Sequence, residues 1–151
     1  MDSSNTLVGA FSTATTGKVN INISATTPTS GNDLFLWDGT AINGFGGEDT
    51  VQLRFDDNLS TTDDFSKMKN IEIIDMSGKA SGNNSITGLT PEEVFNMTDD
   101  DNLLKIIADE SDTVNLGDNW VAGNTAGDKT TYSYTDPDSS IKINLEVTLV
   151  D

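Results

Sequence analysis

GNDLFLWDGTAINGFGGEDTVQL, residues Gly31 to Leu53, passes twice from a glycine-rich acidic turn straight into an alternating apolar segment. Gly31-Asn32-Asp33 leads into Leu34-Phe35-Leu36-Trp37, and Gly47-Glu48-Asp49 leads into Thr50-Val51-Gln52-Leu53. Glycine admits positive φ and lets carbonyl oxygens turn inward, while the aspartate adds a hard, charged oxygen. Together these suit an ion that takes six to eight oxygen ligands, which is calcium. The plain alternative is a pair of acidic β-turns ahead of ordinary strands, since such residues are common turn formers.

Compared with the calcium-binding nonapeptide G-G-x-G-x-D-x-U-x, Gly44 to Gln52 keeps every fixed position except the second, where Phe45 replaces glycine. The earlier copy keeps only the G-x-D-x-U core, and Asp33 and Asp49 stand 16 positions apart where nonapeptide coils repeat every nine. The candidate metal ligands are Asn32, Asp33, Asp38, Gly47 and Asp49, with Asp112 added from a short echo: DTVNL at 112–116 repeats DTVQL at 49–53. Two acidic-turn-to-strand units in one architecture would produce such an echo. The runs Asp56-Asp57, Asp63-Asp64 and Asp99-Asp100-Asp101 are further carboxylate clusters, and such runs are ordinarily solvated loops.

The 151 residues carry 25 acidic and 8 basic side chains, a formal charge of −17, and neither cysteine nor histidine. That balance opposes binding to nucleic acid or an anionic membrane, and it makes cations the natural counterpart. Disulfides, thiol chemistry, ordinary structural zinc and the commonest general base are all excluded. Carboxylate pairs of the kind used in glycoside hydrolysis arise by chance in so acidic a chain, and no nucleophile elbow, phosphate loop or zinc motif accompanies them. The expectation is a protein that is not an enzyme. No segment has the length of a membrane span or the layout of a signal peptide.

Along the chain, Lys18 to Ser24 alternates as a half-buried strand, and Thr26 to Ser30 breaks the pattern, so residues 1–30 read as a strand-and-linker segment ahead of a β-rich module at 31–151. Asp63 to Met68 reads as a short helical turn and Ile71 to Met76 as a strand. Thr90, Pro91 and Glu93 form a capping box that starts a second short helix. Thr131 to Tyr134 and Ile141 to Leu149, joined through Asp136-Pro137-Asp138-Ser139, predict a terminal hairpin with Ile141, Ile143, Leu145, Val147 and Leu149 on its apolar face. The fold class that follows is mainly β, as a β-sandwich or β-roll-like sheets, with two short helices and a C-terminal β-hairpin. Trp37 alternates with Phe35 and belongs to the core, whereas Trp120 follows a polar turn and is the candidate for stacking on a surface glycan.

The order NDLFLWDG, GGEDTVQL, NIEIIDM, NSITGLTPEEVFNMTD, LKIIADESDTVNLGDNW and a tyrosine-containing hairpin resembles the C-terminal region of large RTX-type bacterial surface proteins, the type I-secreted adhesins and RTX-like S-layer proteins. The resemblance covers roughly the last four fifths of the chain and rests on motif order. It implies an extracellular, non-catalytic module at the bacterial cell surface, folded by calcium and associated with type I secretion. Asp33 and Asp49 match the family's calcium-turn aspartates, and Asp112 falls where a degenerate copy would lie. The chain departs from the family in lacking a tandem run of full nonapeptides, and in Glu110 and Phe45, which stand where glycines would. Homo-oligomer or lattice neighbours bridged by calcium, and a surface glycan, are the other partners the composition suggests.

Overall fold

A computed structural model of the protein describes residues 12–13, 19–20, 28–54, 56–60, 62–77 and 83–151. At the N-terminus β1 (Ser12–Thr13) pairs antiparallel with β2 (Val19–Asn20). The strand expected over Lys18 to Ser24 is present at Val19–Asn20, and the remainder of that run lies outside the described residues.

From Leu34 onward the chain winds in stacked coils. The first carries β3 (Leu34–Leu36) and β4 (Ile42–Asn43). The second carries β5 (Thr50–Gln52), β6 (Asn58–Leu59), α1 (Thr62–Ser66) and β7 (Met68–Lys69). The third carries β8 (Ile73–Asp75), β9 (Ser85–Leu89) and α2 (Pro91–Met97), and the fourth β10 (Leu103–Ala108) and β11 (Thr113–Leu116). Every pairing between coils is parallel: β3 on β5, β5 on β8 and β8 on β10 along one face, β6 on β9 and β9 on β11 along the second, and β4 on β7 along the third. The result is a mainly β, roll-like stack with two short helices set into its loops.

The stack ends on β12 (Val121–Ala126), β13 (Lys129–Thr135) and β14 (Lys142–Leu149). β13 and β14 form the expected hairpin, in register from Lys129↔Thr148 to Thr135↔Lys142, and β14 then lies parallel against β10. The hairpin's apolar face is only half used. Ile143 and Leu145 are buried and Val147 packs against the core, but Ile141, ahead of the strand, and Leu149, at its end opposite Ala108, remain exposed.

Parallel strands in register place like residues above one another, and the core is built that way. Phe35, Val51, Ile74, Ile106 and Val147 form one continuous row across the long sheet. Leu59, Ile86 and Val114 form another on the second face, and Ile42 meets Met68 on the third. The helices add Phe65 from α1, and Pro91, Val94 and Met97 from α2.

Coil length is irregular. Leu34 pairs with Thr50, Thr50 with Ile73, and Ile73 with Lys105, so the repeat is 16, 23 and 32 residues instead of nine, with the helices taking up much of the extra length. The DTVQL and DTVNL echo therefore falls on two different faces: Thr50–Gln52 belongs to the long sheet, Thr113–Leu116 to the three-stranded one.

Candidate functional site

Each coil must turn sharply into the long sheet, and it does so at one recurring position. Gly31, Gly47, Asn70 and Asn102 stand three residues ahead of Leu34, Thr50, Ile73 and Lys105, which are register partners. Gly47, Asn70 and Asn102 have φ of 115°, 50° and 50°, the left-handed region that glycine and asparagine tolerate best. A Cβ on Gly47 would also lie 2.6 Å from the Gly31 carbonyl carbon, so the coils stack backbone to backbone there.

Two residues after each of the first three of these positions comes a carboxylate: Asp33, Asp49 and Glu72. They form a ladder between coils. The Asp33 amide donates to Asp49 Oδ1 (2.7 Å), and the Asp49 amide donates to Glu72 Oε2 (2.9 Å). In return the Asp49 carbonyl accepts from the Glu72 and Ile73 amides. A second ladder, Asp57, Asn84 and Asp112, repeats the design on the second face, where the Asp57 amide donates to Asn84 Oδ1 and the Asn84 amide to Asp112 Oδ1. Backbone amides at the coil corners thus find acceptors that a turn alone does not supply.

In the first ladder this leaves two oxygens over. Asp49 is fully buried and Glu72 is 7% exposed, and Asp49 Oδ2 and Glu72 Oε1 accept no well-formed hydrogen bond, although the Asp99 amide lies close enough to the Glu72 carboxylate to favour its charge. Beside Asp49, a Cβ on Gly44 would lie 2.2 Å from Asp49 Oδ2 and 2.3 Å from the Asn70 carbonyl oxygen, so both acceptors press against the Gly44 backbone and only glycine fits there. The ion pairs among the described residues, Lys67–Asp63, Lys105–Glu48 and Lys129–Glu146, involve neither carboxylate. Burial pushes both carboxyls above their usual range, and the Asp33 and Asp99 charges for Asp49, and the Asp99 and Asp49 charges for Glu72, push the same way; amide donors partly offset the shift. A buried carboxylate without compensation is costly, so the pair must hold protons or share a cation. Asp49 Oδ2 and the Asn70 carbonyl are hard oxygen donors, and the Glu72 carboxylate is joined to Asp49 through the Asp49 amide, so the groups at this corner are of the kind a hard cation takes. Asp49, Glu72 and the Asn70 carbonyl would hold the ion. Among the described residues no group of three or more acidic, histidine or cysteine side chains converges as a metal cage, so other oxygens would complete the shell.

The sequence-derived ligands distribute unevenly around this centre. Asn32, Asp33, Gly47 and Asp49 come together where coils one and two stack, with Asn32 Oδ1 accepting from the Glu48 amide and Asp33 occupied by the amide and hydroxyl of Thr29. Asp38 lies beyond the other end of β3, exposed, where the Thr40 hydroxyl and amide hold its carboxyl below the usual range. Asp112 belongs to the second ladder, its Oδ1 taken by Asn84 and its Oδ2 by the Asp109 amide. Of the acidic runs, Asp57 and Asp99 serve local turns, accepting from the Arg54 and Asp101 amides, while Asp56 reaches the next coil and accepts from the Asn83 amide. Trp120 is half-buried, packs against the core and donates its indole N–H to the Leu89 carbonyl at 2.9 Å.

Glu72, the buried partner of Asp49, is absent from the sequence-derived set. Its signal is the recurrence of Gly/Asn-x-acid at Gly31, Gly47 and Asn70, hidden by unequal coil lengths.

No family model, curated protein or solved structure matches this chain. What the fold and the site define is a class of architecture: a parallel β-coil stack whose corners are tied by side-chain ladders, one of which encloses two underpartnered carboxylates.

Proposed function

We propose that the chain is a non-catalytic, calcium-stabilised structural module of an extracellular bacterial surface protein of the type I-secreted adhesin kind. The observation that carries the calcium reading is the pair of orphaned oxygens, Asp49 Oδ2 and Glu72 Oε1, buried between coils two and three. A cation shared by these carboxylates would tie consecutive coils together and remove the cost of burying their charge. The surface-protein reading rests on the resemblance in motif order and on the formal charge of −17, which favours a medium rich in divalent ions. An ion that binds only the folded state stabilises it by about 2.7 kcal/mol at one hundred times its dissociation constant.

The test is thermal unfolding by circular dichroism in EDTA and in millimolar calcium, with particle size followed by light scattering. In the parent protein the melting temperature rises with calcium at unchanged size. The double variant Asp49→Asn, Glu72→Gln melts no lower than the parent in EDTA and has lost most of its response to calcium. A parent protein indifferent to calcium overturns the proposal.

A self-assembling surface subunit is the second reading. It is favoured by the two edges of the long sheet, β3 and β12, which among the described residues have no outer strand partner and carry Leu34 at 48% and Val121 at 63% exposure. Growth of the particle on adding calcium supports this reading over the monomeric module.

A further inference from the structure

The corners that lead into the long sheet also build a surface groove of about 650 Å³ whose chemistry the calcium reading does not use. Phe45, Phe95 and Ile141 border it, three of the exposed large hydrophobic side chains of the described residues, with exposures of 62%, 42% and 36%. They come from three separate places: the turn before β5, helix α2 and the loop before β14. Between them lie Asp99, Asp100, Asn70 and Asn102.

Phe45 is held at φ 70°, a conformation that strains a bulky side chain and that glycine adopts freely. The nonapeptide pattern has glycine at this position. Here the chain carries an aromatic ring, and the ring projects to solvent at the groove instead of packing inward.

The hydrogen-bonding groups of the groove are unbalanced. The groove's side-chain donors are partly committed: Asn70 Nδ2 spends one N–H on Asn43 Oδ1 at 2.8 Å, Asn102 Nδ2 one on the Asp100 carbonyl at 3.3 Å, and the Thr98 hydroxyl donates to the buried Val94 carbonyl at 2.8 Å. Among the described residues no lysine or arginine lines the groove. The capacity left over is mainly acceptor and negatively charged, set between aromatic and aliphatic rims. A neutral sugar needs donors as well as acceptors, and an anion is repelled. A planar cation rich in N–H groups satisfies both parts, because a guanidinium stacks on aromatic faces while its fork pairs with carboxylates.

We propose that this groove is a binding site for an arginine side chain presented by a polypeptide partner, its guanidinium resting against Phe45 and Phe95 and pairing with Asp99 and Asp100. The surplus of acidic side chains elsewhere on the molecule attracts such a partner at long range, and the aromatic rims provide the selectivity for arginine.

The site is tested by calorimetric titration of the whole chain with the peptide acetyl-Gly-Gly-Arg-Gly-Gly-amide in physiological salt, which screens general attraction, using the norleucine and glutamate peptides as comparisons. Binding is expected for the arginine peptide and at least tenfold weaker for the other two. Phe45→Gly removes the ring and relieves the backbone, so it leaves the melting temperature equal or higher and weakens arginine binding at least tenfold. Asp100→Asn weakens binding by a similar factor, whereas Asp118→Asn, the same charge change on a remote exposed turn, leaves it unaltered. The proposal is overturned by an arginine peptide that does not bind, by equal binding of the norleucine peptide, by equal loss in Asp118→Asn, or by a neutral oligosaccharide that binds where the arginine peptide does not. Because the titration is run both in EDTA and in calcium, failure here is distinguishable from failure of the calcium reading, which is judged by melting temperature.

Discussion

Asp49 combines two opposed demands in one carboxylate. Oδ1 accepts the Asp33 amide and so joins coil one to coil two, while Oδ2 is buried without a donor. Because burial raises the Asp49 and Glu72 carboxyls, the folded state retains protons that the unfolded chain has already released. The stability linked to this pair is therefore present below the ordinary carboxylate range, near pH 4, and is lost as pH rises through the raised folded values. In EDTA the parent should melt at a higher temperature at pH 5 than at pH 8. That difference should shrink in Asp49→Asn, Glu72→Gln, and comparing the two proteins removes the general charge repulsion they share. An equal pH response in both would show that the pair is not the source. Asp38, Asp109 and Asp136 act in the other direction: hydroxyl and amide donors from Thr40, Ser111, Asp138 and Ser139 hold their carboxyls low. Their contribution is present above about pH 4 and disappears as pH falls through the lowered values.

At the scale of the element, α2 shows how a loop insertion is kept in place. Thr90 Oγ1 accepts the Glu93 amide, Glu93 Oε2 accepts the Thr90 amide, Pro91 opens the first turn, and Val94 and Met97 point into the core. The Met97 carbonyl then accepts the Ile71 amide, so the end of the helix joins the corner of the coil beneath it. Thr90→Ala should cost about 1 kcal/mol, the usual value for a lost cap, and should lower the denaturant midpoint without changing the slope. Since the hydrogen bonds of this cap span only three residues, the helix was legible in the sequence, as was the β13–β14 hairpin. The strand at Ile73–Asp75 was legible too, but its alternation gave no sign that Glu72, one residue ahead of it, turns inward.

At the scale of the whole molecule, each coil contacts mainly the coils before and after it, so stability is distributed as a sum of neighbour contacts. β8 and β10 lie inside the long sheet with partners on both sides, whereas β12 is an edge with all six residues exposed. Native-state hydrogen exchange should find the slowest amides in β8 and β10 and the fastest strand amides in β12, and calcium should slow exchange most at the Asp49 and Glu72 corners. Uniform slowing over the molecule would contradict a cation held between coils two and three.

The amino-acid sequence by itself determined what depends on neighbours along the chain: the strand-rich character, the capped helix, the hairpin and the turn at Gly47. These follow from periodicities and caps whose partners lie within a few residues. Tertiary structure alone decided that the turns stack as parallel coils, that the DTVQL and DTVNL segments serve different faces, and that Asp49 shares its burial with Glu72, 23 residues on. Coil lengths of 16, 23 and 32 residues carry no fixed period for the eye to follow. Register between distant strands is set by which apolar rows can close a common core, and that is a property of the folded stack.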